Sequence, residues 1–188
     1  MTAPSPSTPL PVAGSLSRIP RQLRSDPVLG ALLGAADATV AVPEAAQAVA
    51  AAALAAFTER TPLLVLTPTG LDAERLADDL TCLLEAEDGP APQNDVGALS
   101  GAVTLLPAWE TLPFERVSPE TETMGRRLAV LHALTERGAR FATPRVIVSP
   151  VRAVLQRLAP LDAAAPIIIV RGQQVESESL LHELAARG

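Results

Sequence analysis

"ATVAVPEAAQAVAAAALAAFTERTPLLVLTPTGLDAERLADDLTCLL", residues 38–84, sets the fold class. Two short apolar runs, 38–42 and 63–67, each lead into a long helical stretch. The first helix, over 43–60, starts on Pro43, whose fixed φ and missing N–H suit a first turn. The second, over 70–88, places Leu71, Leu76, Leu80, Leu83 and Leu84 on one stripe. Both strands are continuous apolar runs rather than alternating ones. Such runs predict a parallel sheet covered on both faces, hence a three-layer α/β unit.

The same rhythm runs outward in both directions. "VTLLP" (103–107) is a third strand, reached through a loop over 89–101. A helix over 121–138 follows, with Met124, Leu128, Leu131 and Leu134 three or four apart and Gly138 to stop it. "RVIVS" (145–149) is a fourth strand and 150–159 a short helix. Upstream, Ser25 or Asp26 caps a helix that begins at Pro27 and ends near Gly34. Residues 1–25 form a weakly ordered leader, rich in Pro, Ser and Thr up to about residue 15. Residues 26–160 are the α/β domain. After Pro160 the pattern restarts over 161–188 as a strand, a turn and a helix capped by Ser177. That piece has too little apolar surface to fold alone, and reads as the opening of a second domain.

Composition narrows the chemistry. The net charge is −6, and all 15 basic residues are arginine. Without lysine, the usual point charge of a phosphate loop is missing. The acidic total argues against a whole surface clamping a polyanion. Cys82 is alone, so it has no internal disulfide partner, and two histidines make a zinc site improbable. Its apolar helical setting suggests a small core residue rather than a nucleophile. A reducing, cytoplasmic setting fits. No signal peptide is visible, and the apolar stretch 42–57 is interrupted by Glu44 and Gln47 and too short for a bilayer span.

In a doubly wound domain the turn after the first strand is the commonest phosphate site. Here that turn reads "VAVPEAAQAVA". It has no glycine, Pro43 lacks an N–H donor, and Glu44 puts a carboxylate where a phosphate would sit. The expectation is a domain with no nucleotide hydrolysis, no catalytic residues, no cofactor and no metal.

The stretch "LLPAWETLPFERVSPETETMGRRL" (105–128) concentrates Trp109, Phe114 and three prolines after a strand end, where α/β domains carry functional loops. Trp109 and Phe114 are expected to anchor the loop, Pro113 and Pro119 to restrict it, and its acids to face water. Glu110, Glu115, Glu120 and Glu122 offer acid–base catalysis as an alternative to a solvated acidic loop. From Arg126 to Arg171 there are eight arginines against Glu136 and Asp162. Arg126, Arg137, Arg140, Arg145, Arg152 and Arg157 make either a basic face for nucleic acid or an acidic partner, or a set of solvent-facing side chains.

Trp109-Glu110-Thr111-Leu112-Pro113, then Phe114, Ser118-Pro119 and Arg127-Leu128 entering a helix, resembles the amino-terminal region of the bacterial transcription-repair coupling factors. "RVIVSPVRAVLQRL" fits the strand and helix that follow in that family. The resemblance covers about residues 16–188. It implies a degenerate RecA/helicase-like fold, similar to the first domain of the excision-repair protein UvrB, with the phosphate loop lost. It further implies a noncatalytic docking and regulatory module in transcription-coupled nucleotide-excision repair, and a chain that is part of a much longer protein. The expected partners are UvrA, chiefly through the second domain, and other domains of the same protein. RNA polymerase and DNA are expected to be bound by domains outside this chain, as are ATP and magnesium. No membrane partner is implied. UvrB's glycine- and lysine-bearing phosphate loop and its aromatic damage-probing hairpin have no counterpart here. A nucleotide hydrolase with a non-standard site, or an arginine-rich DNA-binding module, are the competing readings.

Overall fold

The computed structural model describes residues 16–84, 102–111, 118, 120–135, 143–158 and 167–187. Among these the helices are α1 (Arg18–Gln22), α2 (Pro27–Gly34), α3 (Glu44–Phe57), α4 (Gly70–Leu84), α5 (Thr121–Thr135), α6 (Val151–Leu155) and α7 (Ser177–Arg187). The strands are β1 (Leu63–Thr67), β2 (Val103–Leu105) and β3 (Val146–Pro150). The sheet is parallel throughout, in the order β1-β3-β2, with Leu63 opposite Val146 and Val103 also opposite Val146.

All five residues of β3 are buried, because it is central and covered on both faces. Val146 and Val148 point to a core built with Ala48, Ala52 and Ala55 of α3 and Ala73, Ala77, Leu80 and Leu83 of α4. Alanine is the best helix former, and its small side chain lets both helices lie close to the sheet. Ile147 points the other way, toward Leu106, Val130 of α5 and Val154 of α6. Three layers result, as the apolar runs predicted.

Several expectations need correction. Residues 38–42 are not a strand; they run as exposed coil into α3, and Val40 is 40% exposed. The turn before Pro43 therefore does not leave a strand of the described sheet. Pro43 is the residue preceding α3, and Glu44 lies in its first turn. β1 is an edge strand with an alternating burial pattern, and Leu64 and Leu66 are about half exposed. Residues 167–170 are also coil, followed by a turn closed by the Gln173 N–H on the Val170 carbonyl at 2.9 Å. Gly172 takes φ +88° there, a conformation that suits a residue without Cβ. Ser177 is the first residue of α7 itself, not its cap.

Within the expected leader, residues 18–25 are helical, while 1–15 lie outside the described residues. Of the two expected caps, Asp26 rather than Ser25 caps α2, accepting from the N–H groups of Val28 and Leu29 at 2.8 and 3.0 Å. On α4, Leu71 is exposed and Ala73 and Ala77 take its place in the core. Cys82 is exposed rather than a core residue, since it lies off that buried stripe. On α5, Leu128 and Leu134 are more than one-third exposed. Leu131 is buried as expected, and Thr123, Arg127 and Val130 complete the buried face.

Candidate functional site: a cleft at the carboxyl ends of the strands

β1 leads into α4 on one face of the sheet, whereas β2 and β3 lead into α5 and α6 on the other. Adjacent strands whose connections diverge to opposite faces leave a crevice at their carboxyl ends. A cleft of about 660 Å³ lies at that end, lined by Thr69 and Gly70 after β1, Pro107 to Glu110 after β2, and Pro150 and Arg152 after β3.

The α4 side of the cleft is closed by local hydrogen bonds. Thr69 precedes the helix; its hydroxyl accepts from the Asp72 N–H at 3.2 Å and donates to the Asp72 carboxylate at 2.6 Å. The Thr69 carbonyl accepts from the Ala73 N–H at 3.2 Å and from the Thr67 hydroxyl at 2.9 Å. Thr69 thus caps the start of α4 through its hydroxyl, and Asp72 sets a carboxylate at the positive end of the helix.

The opposite wall is the segment after β2. Leu106 extends the ladder by donating its N–H to Val148 O at 2.9 Å, and the buried Ser149 hydroxyl donates to the Leu106 carbonyl at 3.0 Å. Trp109 is then held from both sides of its backbone by one side chain. Its N–H donates to Gln156 Oε1 at 2.8 Å, and Gln156 Nε2 donates to its carbonyl at 3.4 Å. Arg127, only 2% exposed, lies 4.8 Å from the centroid of the Trp109 ring and donates Nη1 to the Pro107 carbonyl at 2.5 Å. Its Nη2 is buried without a hydrogen-bond partner. Burial lowers the Arg127 pKa, but a guanidinium stays protonated at any physiological pH.

The buried Thr123 hydroxyl donates to the Glu110 carboxylate in a short contact. That bond is the main reason the Glu110 pKa lies below the usual glutamate range. Backbone N–H groups at Glu110 and Glu120 act in the same direction, and desolvation opposes them. Arg126 pairs with Glu122 one turn earlier on α5.

The sequence had singled out Trp109 and Arg127, and they meet here as ring and guanidinium. Glu110 and Thr111 follow on the same segment, Glu110 exposed and Thr111 partly buried; Leu128 and Ser118 face solvent. Leu112, Pro113, Phe114 and Pro119, with Arg137 and Arg140, lie outside the described residues. Arg126 and Arg152 both line the cleft, with Glu74, Glu110, Glu120 and Glu122. Arg145 sits at the other end of β3, where Nε and Nη2 donate to the Ala55 and Ala56 carbonyls at 3.0 and 3.2 Å. Among the described residues, Arg145 therefore lies apart from Arg126 and Arg152. Gln156 and Thr123 were not anticipated. Thr123 lies four residues before Arg127 and shares its helix face, a spacing that could have found it. Nothing in the local sequence marks Gln156.

Among the described residues no group of three His, Cys, Asp or Glu is placed to hold a metal ion. Nor is any described helix long and apolar enough to cross a membrane.

These features define a small three-layer parallel α/β unit whose strand-end cleft has Trp109, backed by the buried Arg127, on one wall and four glutamates against two arginines among its charged lining residues. Over nearly its whole length, the chain is related to the transcription-repair-coupling factors. It is 33% identical over 193 aligned residues, 98% of this chain, to that of Mycobacterium tuberculosis. It is 30% identical over 131 residues to that of Myxococcus xanthus, and 28% over 166 residues to that of Escherichia coli. The chain spans 14% of the length of the mycobacterial relative and 12% of the Escherichia coli one. No protein-family model matches it.

Proposed function

We propose that this chain is a noncatalytic docking and regulatory module of a transcription-repair-coupling factor. In this reading its fold is a degenerate helicase-like domain of the UvrB type, and the longer protein is an ATP-dependent DNA translocase. That protein displaces stalled RNA polymerase and recruits UvrA, while this module contributes surface rather than chemistry. The similarity over 98% of the chain supplies the family context.

The observation that carries the noncatalytic reading is the composition of the cleft. Where an α/β nucleotide enzyme would present converging N–H groups and a lysine, four carboxylates and two arginines line the site, and one of those arginines is already paired. Asp72 occupies the start of α4, the position an anion would need. A triphosphate entering there would meet like charge.

Calorimetric titration of the chain with ATP and magnesium tests this reading. The expected result is no binding tighter than about 1 mM, a free energy near −4 kcal/mol. Micromolar binding would move the chain into the nucleotide-hydrolase class. A parallel titration with purified UvrA tests the docking half, and saturable binding is expected.

A further inference from the structure

β2 is the outer strand on one side of the sheet and pairs only with β3 among the described residues. The ladder bonds fix which way its backbone groups point. The Ala102 carbonyl accepts from the Val146 N–H, and the Leu106 N–H donates to the Val148 carbonyl, both at 2.9 Å. Because direction alternates along a strand, the N–H and C=O groups of Ala102, Thr104 and Leu106 face β3, and those of Val103 and Leu105 face outward. A groove of about 400 Å³ runs along this outer edge. Glu74, Asp78 and Thr81 of α4 form one wall, and Arg126 of α5 stands on the other. The groove shares Glu74, Leu105 and Arg126 with the strand-end cleft, so the two are continuous.

We propose that this groove docks an extended basic peptide segment of a partner protein, added to the sheet as a strand beside β2. Val103 and Leu105 offer a donor and an acceptor at alternate residues, the pattern that the main chain of a second strand completes. Charge complementarity sets the sign of its side chains. Glu74 and Asp78 are exposed, one turn apart, and without a partner among the described residues, whereas Arg126 is already paired with Glu122. The stretches that flank β2 in sequence do not reverse this sign. Residues 85–101 hold Glu85, Glu87, Asp88 and Asp95 and no basic residue, and 112–117 hold Glu115 and Arg116. Spacing agrees as well. Residues four apart on a helix are displaced by about 6 Å along its axis, and residues two apart on a strand by about 6.6 Å. The side chains of Val103 and Leu105 pack on the α4 side of the sheet, so alternate residues of an added strand face the same side. Two basic residues separated by one other therefore meet Glu74 and Asp78 in turn. The assignment rests on the docking reading above for the existence of a protein partner, and names that partner's chemistry.

The test is calorimetry of the 188-residue chain with the peptide acetyl-Thr-Arg-Val-Arg-Thr-amide. One control has glutamine for both arginines, and the other carries N-methyl groups on its internal backbone nitrogens. The parent peptide is expected to bind at least about tenfold tighter than either, and to lose its advantage over the glutamine control at about 0.5 M salt. Glu74→Gln/Asp78→Asn should remove the same factor with the thermal midpoint unchanged, since both side chains are exposed. Glu74→Gln alone should remove part of it and serves if the double variant misfolds. Hydrogen exchange should slow at the Val103 and Leu105 amides in the complex. Equal binding of the parent and either control, no binding, or undiminished binding by these variants would overturn the proposal. So would amides at Val103 and Leu105 that are as protected in the free chain as in the complex, because the chain itself or a second copy would then fill the edge. Saturable UvrA binding without peptide binding would remove this groove and leave the docking reading standing. Peptide binding without UvrA binding would keep the groove and remove UvrA as the module's partner.

Discussion

Burying the Arg127 guanidinium strips it of water, and the Pro107 carbonyl and the Trp109 ring only partly replace that hydration. Nη2 remains unpaired. Truncation and replacement should therefore differ. Arg127→Ala leaves a hole under Trp109 and is expected to cost about 3 kcal/mol. Arg127→Met fills the same channel without a buried charge or an orphan donor, and should cost at most about half as much. Urea unfolding of the two variants measures the difference; equal losses would mean that the charge itself, not the packing, holds the segment. Glu110 gives a pH-dependent counterpart. Its folded pKa is depressed, so its contribution to stability is present at neutral pH and is lost as pH falls through that lowered value. Thr123→Val removes the largest cause of the depression. NMR titration of the Glu110 carboxyl carbon should show its midpoint rising toward the ordinary glutamate range, with no change near pH 7. The importance of Trp109 was legible in the sequence, because a lone tryptophan after a strand end is conspicuous. The burial of Arg127 was not: arginine is normally a surface residue, and its partners come from a carbonyl and a ring about twenty residues away.

At the level of elements, position in the sheet decides what an apolar run means. "LLVLT" and "RVIVS" look alike as sequences, yet β3 is buried on both faces while β1 is half open. Leu64 faces the same side as Ile147, but α5 and α6 reach only Ile147 and Leu106. Val148→Ala should cost about 2 kcal/mol, since it empties part of the core under α3 and α4. Leu64→Thr should change stability by less than about 0.5 kcal/mol, because the side chain is already half in water and threonine suits a strand. Thermal or urea denaturation of the pair decides; a large loss at Leu64 would mean that this face is covered in solution. Periodicity revealed the helices and the parallel sheet because those depend on local pattern. It placed strands at 38–42 and 167–170 for the same reason, since both are short β-branched or apolar runs. A strand also needs a neighbour with free N–H and C=O groups, and that requirement is not local. The caps at Asp26 and Thr69 follow local chemistry, and Asp26 was one of the two residues that the sequence offered for α2.

Across the whole molecule, the described charges are not spread evenly. Four glutamates and two arginines line the strand-end cleft, and Arg21, Arg24 and Arg145 lie around a cavity at the other end of the sheet. This distribution bears on DNA binding. The arginine excess after residue 126 suggested a basic face, but its described members are dispersed and partly engaged. Arg126 is paired with Glu122, Arg127 is buried, Arg145 caps α3 at the far end, and Arg152 shares its cleft with four glutamates. Duplex binding gains affinity from each phosphate neutralised, with a salt slope of about −0.9 per contact. A surface that offers one or two unengaged guanidiniums at a time should therefore bind weakly. Fluorescence anisotropy with a labelled duplex is expected to give a Kd weaker than about 10 μM near 0.15 M salt, and a log–log salt slope no steeper than about −2. Arg152→Gln and Arg157→Gln should each move that slope by less than about one. A slope of −5 or steeper would require several arginines converging on one backbone, which the placement of Arg126 and Arg145 at opposite ends of the sheet does not provide.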